Sequence, residues 1–307
     1  MVCVMLNRKG LSLVASALLI VGLVGSAWTF GKIGNAERMT DVVTVENNGF
    51  RDIQITVDNG SAELLPTDEP TARIEVSGQQ GKYKLSADTE EDRLVVHLED
   101  KNKKLFNFNF NFKSPAIKVY VPAKRYDAIR MESRNGKMRM DTIQAHEIAA
   151  ATRNGSVDLT NIDTEKLKAD TRNGQIRANQ LTGSAIQAKS NNGRITMKNS
   201  TAETMTLEAD NGKIDLQHVQ GQITGVAKNG RISLLAQELN HPMDLKTNNG
   251  SISIQTDREP TNAIIKTNTS NGSTTIFGEK NGAGIYGAGE NLIQLSTKNG
   301  KIEVGKR

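Results

Sequence analysis

Apolar residues return along the second half of the chain at an interval too long for any helix. Ile129, Ile148, Leu167, Ile186, Met205, Ile223, Met243, Ile265 and Ile293 each stand seven residues before the glycine of an Asn-Gly pair. Those glycines are Gly136, Gly155, Gly174, Gly193, Gly212, Gly230, Gly250, Gly272 and Gly300; the first four steps are 19 residues and the rest 18, 20, 22 and 28. Two residues after the glycine the apolar column resumes with Met138, Val157, Ile176, Ile195, Ile214, Ile232, Ile252 and Ile302, broken only by Thr274. Within each half-unit apolar and polar residues alternate, which is strand periodicity.

The two halves of a unit are one residue out of phase across Asn-Gly, so the chain must turn there. Asn and Gly both tolerate positive φ, which suits a corner. A row of hairpins and a stacked solenoid both supply such a turn. The near-constant period and a third apolar column seven residues after the glycine (Ile143, Ile162, Leu181 and Val219, failing at Ser200) favour the solenoid. One coil buries about five modest side chains at roughly 2 kcal/mol each, less than ordering its backbone requires. Only stacking makes the coil stable. The expected fold is therefore all-β: a parallel, β-helix-like solenoid of about nine coils over residues 127–307. Residues 41–126 read as strands that do not follow the period, forming an N-terminal β cap.

The N-terminus sets the expected location. Leu11–Phe30 is a run of 20 uncharged residues preceded by Arg8 and Lys9. It is long enough to span a bilayer, and the positive-inside rule exports the chain downstream of it. A cleaved signal peptide is the other reading, with Gly25 and Ala27 near a cleavage site. The expected layout is a cytoplasmic stub (1–10), a transmembrane signal anchor (11–30), a linker (31–40), the cap and the solenoid, placing the C-terminal part outside the cytoplasm at the cell membrane.

Composition narrows the chemistry. Aromatics are 4% and apolar residues 36% of 307, too few for a wide core of large side chains. A single cysteine, Cys3, excludes an intrachain disulfide and a cysteine zinc site. His97, His146, His218 and His241 are scattered, so neither metal nor other cofactor is expected. Asp158 and Asp215 share a repeat position, but the two coils between them lack an acid there, so no glycosidase-like or lyase-like pair is assembled. The protein reads as non-enzymatic, with polysaccharide cleavage a remote alternative. The glycine pattern at 282–287 lacks the strand–helix context of a dinucleotide site and reads as a flexible insertion.

Two features remain as candidate binding surfaces. Basic residues flank the Asn-Gly corners: Arg134, Arg153, Arg172 and Lys228 two before the glycine, and Lys137, Arg194, Lys213 and Arg231 one after it. Stacked at about 5 Å, they form an edge suited to an anionic cell-wall polymer or lipid head groups. The other reading is that they simply keep a strand edge soluble. Phe106, Phe108, Phe110 and Phe112 alternate with asparagines and share one face of a strand, either packed on the rod or offered to membrane or an envelope protein. The net charge of +5 is mild, and no nucleic-acid partner is expected. The asparagine column itself is expected to form a hydrogen-bonded ladder.

An N-terminal anchor, a strand region ending in Ile117-Lys118-Val119-Tyr120-Val121-Pro122, and serial Asn-Gly turns resemble the bacterial family of adhesin candidates built from β-strand repeats. Within it, the likeness is to LiaG-type membrane-anchored proteins of Gram-positive cell-envelope stress operons. The resemblance covers about residues 40–304. It implies an adhesive, structural or sensory-accessory role at the envelope and brings no catalytic residues with it.

Overall fold

A computed structural model describes residues 39–46, 49–78, 81, 83–101, 114–280 and 284–307. The proposed anchor (11–30), most of the linker and the Phe106–Phe112 segment lie outside them. Every regular element among the described residues is a β-strand, and no helix there is long and apolar enough to cross a membrane.

The repeat is clearest where β8 (Arg125–Asn135), β9 (Met138–Asn154), β10 (Val157–Asn173) and β11 (Ile176–Asn229) follow one another. β10 lies parallel to β9 at an offset of 19 residues, from Val157 against Met138 to Asn173 against Asn154. Pairing runs in three stretches, 157–160, 162–164 and 166–171, so each coil contributes three short parallel strands separated by corners. Seven side chains per coil point inward: in β10 these are Val157, Leu159, Ile162, Thr164, Leu167, Ala169 and Thr171. Where the third apolar column fails, buried Ser200 meets its own needs, donating to Lys198 O at 2.7 Å and accepting from the Leu181 amide at 3.3 Å.

Each corner has its own chemistry. At Asn-Gly the stacked backbones approach so closely that a Cβ on Gly193 would lie 1.6 Å from the Gly174 carbonyl oxygen. At Gly193 space, rather than positive φ, demands glycine, whereas Gly60 (φ 144°) and Gly136 (142°) have positive φ as well. At five corners among the described residues the carbonyl of the neighbouring coil's glycine accepts a hydroxyl, as where Thr171 donates to Gly155 O at 3.2 Å and Thr247 to Gly230 O at 3.0 Å. The left-handed backbone stands six residues further on, at Thr142 (φ 57°), Asn161 (52°), Gln180 (56°), Asn199 (48°) and His218 (51°). A β-branched side chain is least suited to that region. Thr142→Gly is therefore expected to raise stability by about 0.5–1 kcal/mol, the strain relieved less the added freedom of the unfolded glycine. A fall in the thermal midpoint would contradict this.

The coils begin well before residue 127. β2 (Asp52–Asn59) lies parallel to β8 on one side and to β6 (Arg93–Asp100) on the other. β3 (Ser61–Thr67) lies parallel to β9 and to β7 (Ala116–Pro122). Residues 52–67 and 93–122 therefore form two further coils in register with the rest. The second escapes the period because 15 residues of chain separate β6 from β7, where the other coils have a single Asn-Gly corner. Antiparallel strands cover it: β4 (Ala72–Gly78) on β7, β5 (Tyr83–Glu90) on β6, and β1 (Met39–Val45) on β4.

The first coil in the chain is thus second in space, and the far end repeats the arrangement. Beyond β12 (Ile232–Ala236) come β13 (Met243–Asn249) and β14 (Ile252–Thr256), then β15 (Ala263–Asn271) and β16 (Thr274–Ile276). After β17 (Glu279–Lys280) and β18 (Gly284–Tyr286), the last coil, β19 (Asn291–Asn299) and β20 (Ile302–Lys306), inserts between them. β19 pairs with both β13 and β15, and β20 with both β14 and β16. β18 and β17 cover the outer edges of β15 and β16 antiparallel, so residues 284–286 form an ordered edge strand within what the sequence suggested was a flexible insertion.

Candidate functional site

The asparagine column aligns everything around it. Ten side chains form one chain of amides, in spatial order Asn59, Asn135, Asn154, Asn173, Asn192, Asn211, Asn229, Asn249, Asn299 and Asn271. Each donates Nδ2–H to the Oδ1 of the rung before it at 2.5–3.0 Å. Asn59, at the end of the series, donates Nδ2–H to the Asp100 carboxylate at 2.8 Å. An aligned series of amides polarises along its length, and a carboxylate is the fitting acceptor at that end.

In this part of the rod the residue before each asparagine alternates outward, because Val57, Ser133, Thr152 and Thr171 before it are buried. The ladder therefore sets Asp58, Arg134, Arg153 and Arg172 in one file at the spacing of stacked strands. The three arginines line one open groove of about 390 Å³ together with Asp58 and Glu132. Arg134 reaches Asp58 at 3.6 Å. Arg153 and Arg172 have no hydrogen bond or ion pair among the described residues.

The remaining predicted cations divide. Lys137 pairs with Asp158 at 2.8 Å, Arg194 with Asp215 at 3.2 Å and Lys228 with Asp210 at 2.7 Å. Arg231 donates to Ser251 Oγ at 3.0 Å. Lys213, like Arg153 and Arg172, has no charged partner among the described residues. The edge is thus not uniformly basic: Arg153, Arg172, Lys213 and Arg231 have no acidic partner among the described residues, and of these Arg153 and Arg172 share one groove. The acids at the third position after the glycine act as counter-ions. Burial alone would raise the Asp158 carboxyl, but hydrogen bonds from Arg177 and Lys137 hold it below the usual carboxylate range. Among the described residues no cluster of three His, Cys, Asp or Glu is placed to hold a metal.

A second groove, of about 560 Å³, runs across the face that carries Ile129, Ile148 and Leu167. The sequence pattern did not reveal it, although the small outward residues Ala149 and Ala185 in its lining were the available signal. Of its three cations, Lys166 pairs with Glu147 at 2.8 Å and Lys168 with Asp170 at 3.8 Å, while Arg130 alone has no charged partner among the described residues. That leaves the arginine groove the stronger anion site.

A coil carrying an Asn-Gly ladder, repeated from residue 52 to residue 306, coincides with a known family: Toastrack DUF4097 matches residues 50–305. The chain belongs to the Toastrack DUF4097 family. The uncharacterized protein YvlB of Bacillus subtilis is 24% identical over 122 residues, which is 39% of this chain and 33% of that protein. This Toastrack chain therefore aligns with about a third of that curated relative. Among solved structures, a candidate lipid-binding protein from Parabacteroides distasonis is similar with a TM-score of 0.52 at 15% identity, over 86% of this chain and 96% of that one. A candidate adhesin from the same organism has a TM-score of 0.51 at 15% identity, over 88% and 98%. At these identities the likeness establishes the Toastrack fold.

Proposed function

We propose that this Toastrack protein is a non-enzymatic, adhesin-like rod, anchored in the cell membrane by residues 11–30 and exposed outside the cytoplasm. We further propose that it holds an anionic cell-wall polymer or anionic lipid head groups on the Arg134–Arg153–Arg172 file. The observation that carries this reading is the pair Arg153 and Arg172, stacked in one groove without an acidic partner among the described residues. Guanidinium groups grip phosphate oxygens in a bidentate fork, and an anion lying along the file removes their mutual repulsion. The adhesin and lipid-binding names of the structural neighbours agree with a binding role. The uncharged run at Leu11–Phe30 supports the anchor.

Binding of residues 39–307 to purified anionic wall polymer, and separately to vesicles containing anionic lipid, tests the reading across a salt series. Changing Arg153 and Arg172 to Glu is expected to weaken binding by about tenfold or more, equivalent to about 1.4 kcal/mol. Binding of the unchanged protein should also fall as salt shortens the Debye length. Equal affinity of the doubly changed protein would remove the arginine file from consideration. Lys137→Glu together with Lys228→Glu is the control matched in charge, because those lysines are already paired with Asp158 and Asp210.

A further inference from the structure

We propose that Asn271–Gly272 is a site of spontaneous covalent modification, the one pair in the asparagine ladder left open to deamidation. In this chemistry the backbone nitrogen of the glycine attacks the asparagine Cγ. The C–N bond to the side-chain amide breaks, ammonia leaves, and a five-membered succinimide forms. Water then opens the ring to aspartate or isoaspartate. The sum is Asn plus water giving Asp or isoAsp plus ammonia, with no other reactant.

Asn-Gly is the dipeptide most prone to this reaction, since glycine offers no side chain to hinder ring closure, and the ladder contains ten such pairs. Their structural settings differ. Along the rod the glycine N–H, which must lose its proton to attack, is bound to the asparagine carbonyl of the next coil. Gly155 donates to Asn173 O at 3.1 Å, Gly250 to Asn299 O at 3.0 Å and Gly300 to Asn271 O at 3.0 Å. The asparagine is fixed as well, since its amide both donates and accepts within the ladder. The β15–β16 coil is outermost in space, and the series of glycine bonds ends there. Gly272 N–H has no partner among the described residues, and Gly272 is the one exposed glycine of the column. Asn271 makes a single ladder bond, donating to Asn299 Oδ1 at 2.9 Å. The nucleophile is therefore free at this pair and the electrophile held by one ladder bond, where the pairs along the rod have both groups fixed.

The product changes the tip of the rod. A carboxylate at 271 cannot donate to Asn299 Oδ1 and faces it oxygen to oxygen. Isoaspartate also lengthens the backbone by one atom at the end of β15, which shifts the register of β16 against β20. The modification is thus an irreversible mark that loosens one end and leaves the rest of the ladder intact.

The sequence supplies its own controls, because Asn154-Gly155-Ser156, Asn249-Gly250-Ser251 and Asn271-Gly272-Ser273 are the same tripeptide. The full chain in detergent micelles would be held at mildly alkaline pH, sampled over days and mapped by peptide mass. Conversion at Asn271 is expected at least about fivefold faster than at Asn154 or Asn249, the factor set by one net hydrogen bond of about 1 kcal/mol. In denaturant the three should convert at similar rates. No conversion at Asn271, or equal rates in the folded chain, would overturn the proposal. So would a denatured chain in which Asn271 still leads, because local sequence would then set the order.

Discussion

Ending the chain at Ala288 is expected to release two coils, not one. In an ordinary solenoid the final coil has a single neighbour, and removing it costs one interface. Here β19 and β20 are enclosed, with β13 and β14 on one side and β15 and β16 on the other. Their loss strips Ile293, Leu295, Ile302 and Val304 from the core, each almost fully buried and each contributing about 2 kcal/mol. It also leaves β15 and β16 without the parallel partner to which both are bonded. Hydrogen exchange and limited proteolysis of the shortened chain should find residues 263–276 unprotected, while residues 138–229 stay protected. There is one competing outcome. Ile265 occupies the same repeat position as Ile293, so β15 has the right pattern to dock directly on β13. Retained protection of residues 263–276 would mean that this shift occurs and that the threaded end is not needed for stability.

The second large effect lies at the Asn-Gly corner. Gly193→Ala places a methyl group where only 1.6 Å separates it from the Gly174 carbonyl oxygen. That oxygen belongs to a backbone held by ladders on both sides, so neither coil can give way locally. Overpacking against fixed backbone and a broken rung together should lower stability by on the order of 3–5 kcal/mol. Denaturant unfolding measures this, with Gly305→Ala as the matched control, since nothing lies within 4 Å of a Cβ there. A midpoint for Gly193→Ala equal to that of the control would show that the coils can separate without penalty. The pair of substitutions separates space from conformation as the reason for glycine.

The sequence made some parts of this fold plain and hid others, for physical reasons. The columns seven before and two after the glycine were legible because Ile, Leu, Val and Met stand out between polar neighbours. The inward column five before it was not, because in the central coils it is Ala150, Ala169 and Ala188, and alanine reads as neutral. The left-handed corner at Thr142, Asn161, Gln180, Asn199 and His218 carried no glycine to announce it. The exchange of coil order at both ends left no trace at all: a strand that matches the repeat matches every coil equally, and pattern alone does not say which neighbour it meets. The arginine file was found, but not its division into paired and unpaired members. That division depends on acids from other coils, such as Asp58 and Asp210.

Because both ends are woven rather than simply stacked, the first and last coils of the chain are not the outermost ones in space, so a unit added at either terminus does not extend the stack. One added in the middle does. Between Gly136 and Gly212 the steps are uniform, and each coil there meets identical neighbours above and below. Whole 19-residue units can therefore be duplicated or excised in that stretch without disturbing either end. Each such change alters the rod by one strand spacing, about 4.8 Å. The architecture works as a ruler with fixed end fittings and an adjustable centre. Its length is a heritable quantity that changes in discrete steps.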